Sequence, residues 1–111
     1  MTVHGGDGRL IAGRAEFAAR FRQRFVGRMG SPALQPGEGL LLRPCNSVHT
    51  CFCHGAMDLV FLDRDDQVLA VSGAVPPWRF RGRHGAAAVL ELAPGAAASL
   101  KPGDRLRFTS E

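Results

Sequence analysis

Hydrophobic residues near the start of the chain recur with the period of a helix. Between Glu16 and Arg28, phenylalanine occupies every fourth position, at Phe17, Phe21 and Phe25. This spacing places the three side chains on one face of a helix. The pattern therefore predicts an amphipathic helix whose phenylalanines are buried against the rest of the domain.

The other apolar segments are short, and residues typical of turns separate them. Strands are predicted at residues 9–15, 40–42, 57–63, 68–71, 85–92 and 105–108. The segment Arg64–Gln67 is typical of a hairpin turn, so the strands on either side of it should pair antiparallel. Together these elements predict a mostly β (α+β) fold, a compact antiparallel β-barrel or sandwich with one amphipathic helix near the N-terminus.

Length and composition indicate a single domain. The chain has 111 residues, of which 45% are hydrophobic and 22% charged, enough for one core and too few for two ordinary domains. Residues 1–8 are rich in glycine and predict a flexible N-terminal lead-in to a domain of residues 9–111. No apolar run is long enough for a membrane span or a signal peptide, so we expect a cytoplasmic protein without a membrane partner.

The stretch from Cys45 to Asp58 holds most of the side chains that could carry chemistry. It contains all three cysteines and two of the four histidines. If this stretch is a strand, His49, Cys51 and Cys53 lie on one face, because side chains alternate along a strand.

Zinc is the metal that these residues could bind. Thiolate and imidazole are its usual ligands, and the candidate set is Cys45, His49, Cys51 and Cys53. Structural zinc sites normally use two pairs of closely spaced ligands, whereas Cys-x-Cys beside one histidine supplies only one pair. The odd cysteine count favours reduced thiols. We therefore predict no cofactor, with Cys51 and Cys53 buried and metal-free, and keep zinc as the alternative.

Asp58 is a second candidate because it lies in an apolar segment, where a carboxylate must be hydrogen-bonded or paired. Its structural alternative is to anchor a loop by accepting backbone N–H bonds. We predict a non-enzymatic binding or interaction module with a small pocket at His49, Thr50 and Asp58, for an unknown small ligand or protein partner. The alternative is a metal-dependent or hydrolase-like enzyme that uses His49, Asp58 and a nearby cysteine, although the chain has no established catalytic motif.

The positive charge of the chain raises the possibility of nucleic-acid binding. Fourteen Lys and Arg residues against ten Asp and Glu give a formal charge of +4. Arg20, Arg24 and Arg28 form a ridge along the predicted helix that could meet phosphates. A solvated flank is the simpler interpretation, and no strand carrying base-stacking aromatic residues accompanies the ridge. Nucleic-acid binding through this Arg-rich helix is therefore the weaker alternative, and we predict no specific binding there.

Five segments, in order along the chain, carry a family resemblance. They are Gly37–Cys45, Val48–Thr50, Asp58–Asp63, Val89–Gly95 and Gly103–Asp104. In these segments the chain resembles the DUF192 family (also called UPF0127), small bacterial and archaeal domains of unknown function. The resemblance extends from about Arg14 to Phe108, and it implies a compact, mostly antiparallel β-barrel or sandwich with one short helix.

The chain departs from the family pattern within the cysteine-rich stretch. Relatives commonly have an apolar residue or Met where Cys53 stands, a bulky apolar residue near Gly55, and Pro where Ala56 stands. Because relatives place apolar groups near Cys51 and Cys53, the resemblance favours burial of these two thiols.

Overall fold

The computed structural model describes residues 1–18, 33–51 and 53–110, and these residues form ten β-strands. The strands are β1 (Thr2–His4), β2 (Leu10–Ala12), β3 (Arg14–Ala18), β4 (Glu38–Leu42), β5 (Ser47–His49), β6 (Met57–Leu62), β7 (Val68–Val75), β8 (Phe80–Gly82), β9 (Ala88–Leu92) and β10 (Arg107–Thr109). They are arranged in three sheets, with the orders β10-β1-β2, β3-β4-β9-β6-β7 and β5-β8.

The five-stranded sheet is the centre of the fold. Every residue of β6 and of β9 is buried. Val60 and Leu90 pack into an apolar cluster on one face of the sheet, while Leu59 and Val89 pack into a second cluster on the other. Since both faces are covered, these strands are mainly apolar and do not alternate, with one buried carboxylate in each, Asp58 in β6 and Glu91 in β9.

The predicted hairpin between β6 and β7 is confirmed. The two strands pair antiparallel, with Val60 opposite Val71. Asp63 closes the turn, because its Oδ1 accepts the backbone N–H groups of Asp65 at 2.8 Å and of Gln67 at 3.0 Å. Such side-chain bonds to the following backbone are the reason that aspartate favours turns.

The fold class predicted from the sequence is wrong in its helix and its barrel, although the mostly β content agrees. Across the described ranges there is no helix, and hence none that is long and apolar enough to cross a membrane. In the same ranges the five-stranded sheet ends at two separate edge strands, β3 and β7, so no barrel closes. The sheet is also mixed, because β3 pairs parallel with β4.

The first residues of the predicted helix form β3 instead. Glu16 and Phe17 lie opposite Leu40 and Leu41 of β4. The side chain of Phe17 is 55% exposed, so its predicted burial is wrong. Here the backbone pairing with a strand distant in sequence outweighs the local apolar period. The remaining residues of the predicted helix, including Phe21, Phe25, Arg20, Arg24 and Arg28, lie outside the described residues.

The first residues of the chain belong to the three-stranded sheet. β1 is its central strand, and Val3 pairs with Phe108 of β10 and with Ala12 of β2. Val3 is completely buried, and the amino group of Met1 donates to the carbonyl of Ala15 at 2.9 Å. Residues 2–4 are thus a strand of the fold although their composition favours a flexible lead-in. The assignment of residues 9–111 to a single domain stays a prediction.

Candidate functional site

Asp58 holds three segments together through backbone hydrogen bonds. Its side chain is 3% exposed, and its Oδ1 accepts the N–H of Ala74 at 2.8 Å. Its Oδ2 accepts the N–H groups of Gly95 at 3.0 Å and Ala97 at 2.9 Å. The register between β6 and β7 shifts beside Asp58, which is where Ala74 takes a left-handed φ of 48°. One charged acceptor thus stabilises a bulge in β7 and the turn after β9.

Thr50 plays a similar part for the segment before β8. It is 1% exposed, and its hydroxyl donates to the carbonyl of Pro76 at 2.7 Å and accepts the N–H of Arg79 at 2.9 Å. Its own backbone N–H donates to the carbonyl of Arg79 at 2.8 Å, and its carbonyl accepts the N–H of Trp78 at 3.2 Å. The side chain of Thr50 therefore fixes the conformation of residues 76–79.

Among the described residues from Cys45 to Cys53, only those of β5 form a strand. After His49 the chain turns, and the N–H of Cys53 donates back to the carbonyl of Thr50 at 3.2 Å. His49, Cys51 and Cys53 are therefore not alternate positions of one strand. The expectation that they share one face assumed an extended strand from His49 to Cys53, and the structure does not contain that strand.

β5 and β8 form a two-stranded antiparallel ribbon with one face against the core and one face exposed. On the inner face Val48 lies opposite Arg81, and Val48 is 8% exposed. On the outer face His49 lies opposite Phe80, and Phe80 is 68% exposed. Opposite residues of an antiparallel pair are side by side on the same face. The outer face of this β5–β8 ribbon thus carries an imidazole beside an exposed phenyl ring.

Trp78 adds a second exposed aromatic side chain to this region. It is 60% exposed, and its φ of 67° lies in the left-handed region, which costs a bulky residue roughly 1–3 kcal/mol. Gly82 permits the close pairing of β8 with β5, since a Cβ at Gly82 would lie only 3.2 Å from the Cβ atom of Ser47. We refer to the outer-face residues His49 and Phe80, together with the exposed Trp78 in the segment before β8, as the aromatic face.

Arginines alternate with Trp78 and Phe80 along the chain. Arg79 and Arg83 are exposed, and the half-buried Arg81 donates from Nη1 to the carbonyl of Phe80 at 2.8 Å. Neither residues 43–57 nor residues 67–90 contain Asp or Glu. Among the described residues no carboxylate pairs with these three arginines. Arg43, by contrast, forms an ion pair with Asp66. The region is therefore positively charged.

Sequence reasoning missed this surface, although the chain carries a signal for it. Residues 78–83 read Trp-Arg-Phe-Arg-Gly-Arg, an alternation of aromatic residues or glycine with arginine. Within β8 this alternation places Phe80 and Arg81 on opposite faces, whereas Trp78, Arg79 and Arg83 lie outside the strand. The pairing with β5 decides which face is exposed, and it cannot be read from residues 78–83 alone.

The three cysteines are half-buried thiols rather than disulfides, so burial of Cys51 and Cys53 is only partial. The thiol of Cys45 donates to the carbonyl of Ser47 at 3.0 Å. In the part of the chain that the structure describes, no place gathers three or more His, Cys, Asp or Glu side chains that could hold a metal ion. The zinc ligand set predicted as the alternative is therefore not assembled there, and the metal-free state of the thiols stays a prediction.

We expect protein purified without chelator to contain far less than about one zinc per chain, because a structural site needs four assembled ligands. Elemental analysis of the full chain measures the zinc content directly. The Cys51→Ser and Cys53→Ser variants should keep the free energy of unfolding within about 0.5 kcal/mol of that of the parent. About one zinc per chain, lost together with stability in both variants, would instead establish a structural metal.

Comparison with known proteins identifies the family. The family model of DUF192, described as an uncharacterized ACR, matches residues 2–108. Among curated proteins none matches the chain. The crystal structure of a protein of unknown function from Novosphingobium aromaticivorans is similar, with a TM-score of 0.81 and 26% identity over 96% of this chain and 82% of that one.

A second similar crystal structure shares the fold. It is that of a putative transcription regulator from Sinorhizobium meliloti, with a TM-score of 0.81 and 22% identity over 96% of this chain and 89% of that one. At this identity the similarity concerns the fold alone. The family match covers most of the chain, and the protein therefore belongs to the DUF192 family.

Proposed function

We propose that this DUF192 domain is a non-enzymatic binding module whose contact surface is the aromatic face. The observation that carries the proposal is the exposure of two large aromatic side chains, Trp78 at 60% and Phe80 at 68%. Burying such a side chain stabilises a fold by roughly 1.5–3 kcal/mol, which these two residues largely forgo. Trp and Arg are also the residues most enriched at the energetic centres of protein interfaces.

The predicted ligand-binding residues take different parts in this proposal. His49 is a contact residue, because it is exposed beside Phe80. Thr50 and Asp58 are supports, because their buried side-chain oxygens are engaged by the backbone of residues 74–97. The aromatic face thus replaces the small pocket at His49 and Asp58 as the proposed place of contact.

The enzymatic alternative has less support. The carboxylate of Asp58 accepts three backbone N–H groups, so little of it remains to act as a base or a ligand. General base catalysis requires a side chain within hydrogen-bond reach of the substrate proton. A binding role does not require Asp58 to reach a substrate, and we therefore prefer the binding role.

We also propose a cytoplasmic location. The three cysteines are present as thiols, and their number is odd. Thiols persist in reducing compartments and tend to be oxidised outside them. Fractionation of cells that express the tagged full-length chain would check the location.

The single tryptophan makes the binding proposal measurable, because intrinsic fluorescence reports on Trp78 and therefore on the aromatic face. The probes are a short peptide rich in Glu and Asp, a short uncharged apolar peptide, and a single-stranded oligonucleotide. We expect at least one probe to change the Trp78 emission saturably, and Phe80→Ala to weaken its binding on the order of tenfold.

Phe17→Ala is the matched control, since Phe17 is 55% exposed but lies in β3 of another sheet. It should leave the affinity unchanged. If no probe changes the emission, or if Phe17→Ala weakens binding as much as Phe80→Ala, the aromatic face is not a binding surface.

A further inference from the structure

The chemistry of the aromatic face points to a class of partner, and this inference rests on the proposed function. We propose that the outer face of the β5–β8 ribbon binds single-stranded nucleic acid. Bases stack on Trp78 and Phe80, and phosphates contact Arg79 and Arg83. His49 lies beside Phe80 and extends the surface on which a base can lie.

The stacking part of the proposal depends on ring exposure. Trp78 and Phe80 together present two rings that are each more than half exposed. Every base has a π-face, and stacking on an aromatic side chain contributes about 1–3 kcal/mol per base. Domains that bind single-stranded RNA commonly use aromatic residues on the outer face of a sheet in this way. The structure places Phe80 in just this position, on the outer face of a strand.

The backbone around Trp78 gives independent support. Trp78 holds a φ of 67°, a conformation that glycine or asparagine adopts at lower cost. Its N–H is bound to the carbonyl of Thr50, and the hydroxyl of Thr50 fixes the next residue, Arg79. The exposed ring of Trp78 buries only part of its surface in the fold, and a backbone fixed at residues 78 and 79 reduces the entropy that is lost when a base binds.

The electrostatic part depends on the charge of the segment that carries Trp78 and Phe80. Residues 67–90 include three arginines and neither Asp nor Glu. Arg79 and Arg83 are exposed, and the planar guanidinium group suits bidentate contact with phosphate. Arg81 differs, because it is half-buried and lies opposite Val48 on the inner face. We therefore assign the phosphate contacts to Arg79 and Arg83 and a supporting role to Arg81.

The aromatic face is a different surface from the arginine ridge of the predicted helix. The ridge of Arg20, Arg24 and Arg28 was disfavoured because no aromatic strand accompanies it, and it lies outside the described residues. The segment of residues 78–83 combines aromatic rings and arginines in consecutive positions. A duplex fits this face less well, because its bases are already stacked inside the helix and offer no π-face to Trp78 or Phe80.

The test uses the full chain with a labelled single-stranded DNA of mixed sequence, the RNA of the same sequence, and the corresponding DNA duplex. We expect both single strands to quench Trp78 emission and to bind more tightly than the duplex. Affinity should fall as salt rises, because bound phosphates release counterions. Phe80→Ala should weaken binding about 5- to 150-fold, the equivalent of losing one stacked base.

Arg83→Gln tests the phosphate contact separately and should reduce the slope of log K against log salt by about 0.7. Arg107→Gln is its control, because Arg107 is also exposed but lies on β10 in another sheet. Phe17→Ala again controls for loss of an exposed ring. All four substitutions are at exposed positions, and their denaturant midpoints should match that of the parent, which keeps the comparison independent of folding.

Three results would overturn the inference. Duplex binding as tight as single-strand binding would show a merely electrostatic contact, and unchanged affinity in Phe80→Ala would remove the stacking step. The third result is that the acidic peptide binds, that no oligonucleotide binds, and that Phe80→Ala loses the binding of the peptide. This result would identify a protein partner and leave the proposed function intact. Failure of all probes, or equal weakening of binding by Phe17→Ala and Phe80→Ala, would refute both this inference and the proposed function.

Discussion

Replacement of Asp58 by alanine is expected to destabilise the protein by about 3–5 kcal/mol. The substitution removes the acceptor of the N–H groups of Ala74, Gly95 and Ala97, and the bond to Ala97 is buried. Hydrogen bonds to a charged group contribute roughly 1.5–3 kcal/mol each, and donors left buried without an acceptor add their desolvation cost. Urea denaturation followed by far-UV circular dichroism measures the shift.

Two further variants make this result specific. Asp58→Asn keeps one oxygen of the side chain but places an NH2 group against at least one backbone N–H, so we expect a smaller but still clear loss. Asp7→Asn is the control, since Asp7 accepts one exposed N–H from Arg9 at 3.0 Å. Its effect should stay within about 0.5 kcal/mol. A parental midpoint in Asp58→Ala would mean that the three hydrogen bonds do not stabilise the fold.

The strands that were predicted well are those whose sequences need little context. β6 and β9 are buried on both faces, and a mainly apolar segment without alternation indicates this directly, although each strand contains one carboxylate. The turn between β6 and β7 depends on Asp63, which bonds backbone groups only two and four residues away. Both signals are local, so the sequence alone is enough to find them.

The prediction for residues 16–18 failed because their partner is distant in sequence. Glu16 and Phe17 pair with Leu40 and Leu41, and this parallel register is not encoded in the four-residue spacing of the phenylalanines. Val3 is a similar case, since its partner in β10 is Phe108 at the other end of the chain. In both cases backbone pairing between remote segments overrides the local composition.

In the candidate site too, the local features could be predicted from the sequence and the contacts between remote segments could not. A carboxylate within an apolar segment identifies Asp58 as a buried acceptor, and the loop-anchoring alternative describes what its oxygens do. Its donors lie 16, 37 and 39 residues further along the chain, so the sequence could not name them. The aromatic face was missed because His49 and Phe80 come together only through the pairing of β5 with β8.

Thr50→Val is expected to cost about 2–3 kcal/mol of stability and to weaken binding at the aromatic face. Valine nearly conserves the volume of threonine but has no hydroxyl. The carbonyl of Pro76 then loses its donor, and the N–H of Arg79 loses its acceptor. Because these bonds fix the segment that carries Trp78, residues 76–79 should become less well positioned even in the folded protein.

Thr50→Ser retains the hydroxyl and should stay within about 1 kcal/mol of the parent, with little change in affinity. His49→Ala should differ from Thr50→Val in its effect on stability, because His49 is exposed on the outer face of β5. We expect weaker binding of the single-stranded oligonucleotide with an unchanged denaturant midpoint. Denaturation curves and Trp78 fluorescence titrations on the three variants therefore separate support from contact. If Thr50→Val keeps both its midpoint and its affinity, the hydroxyl does not hold the aromatic face in place.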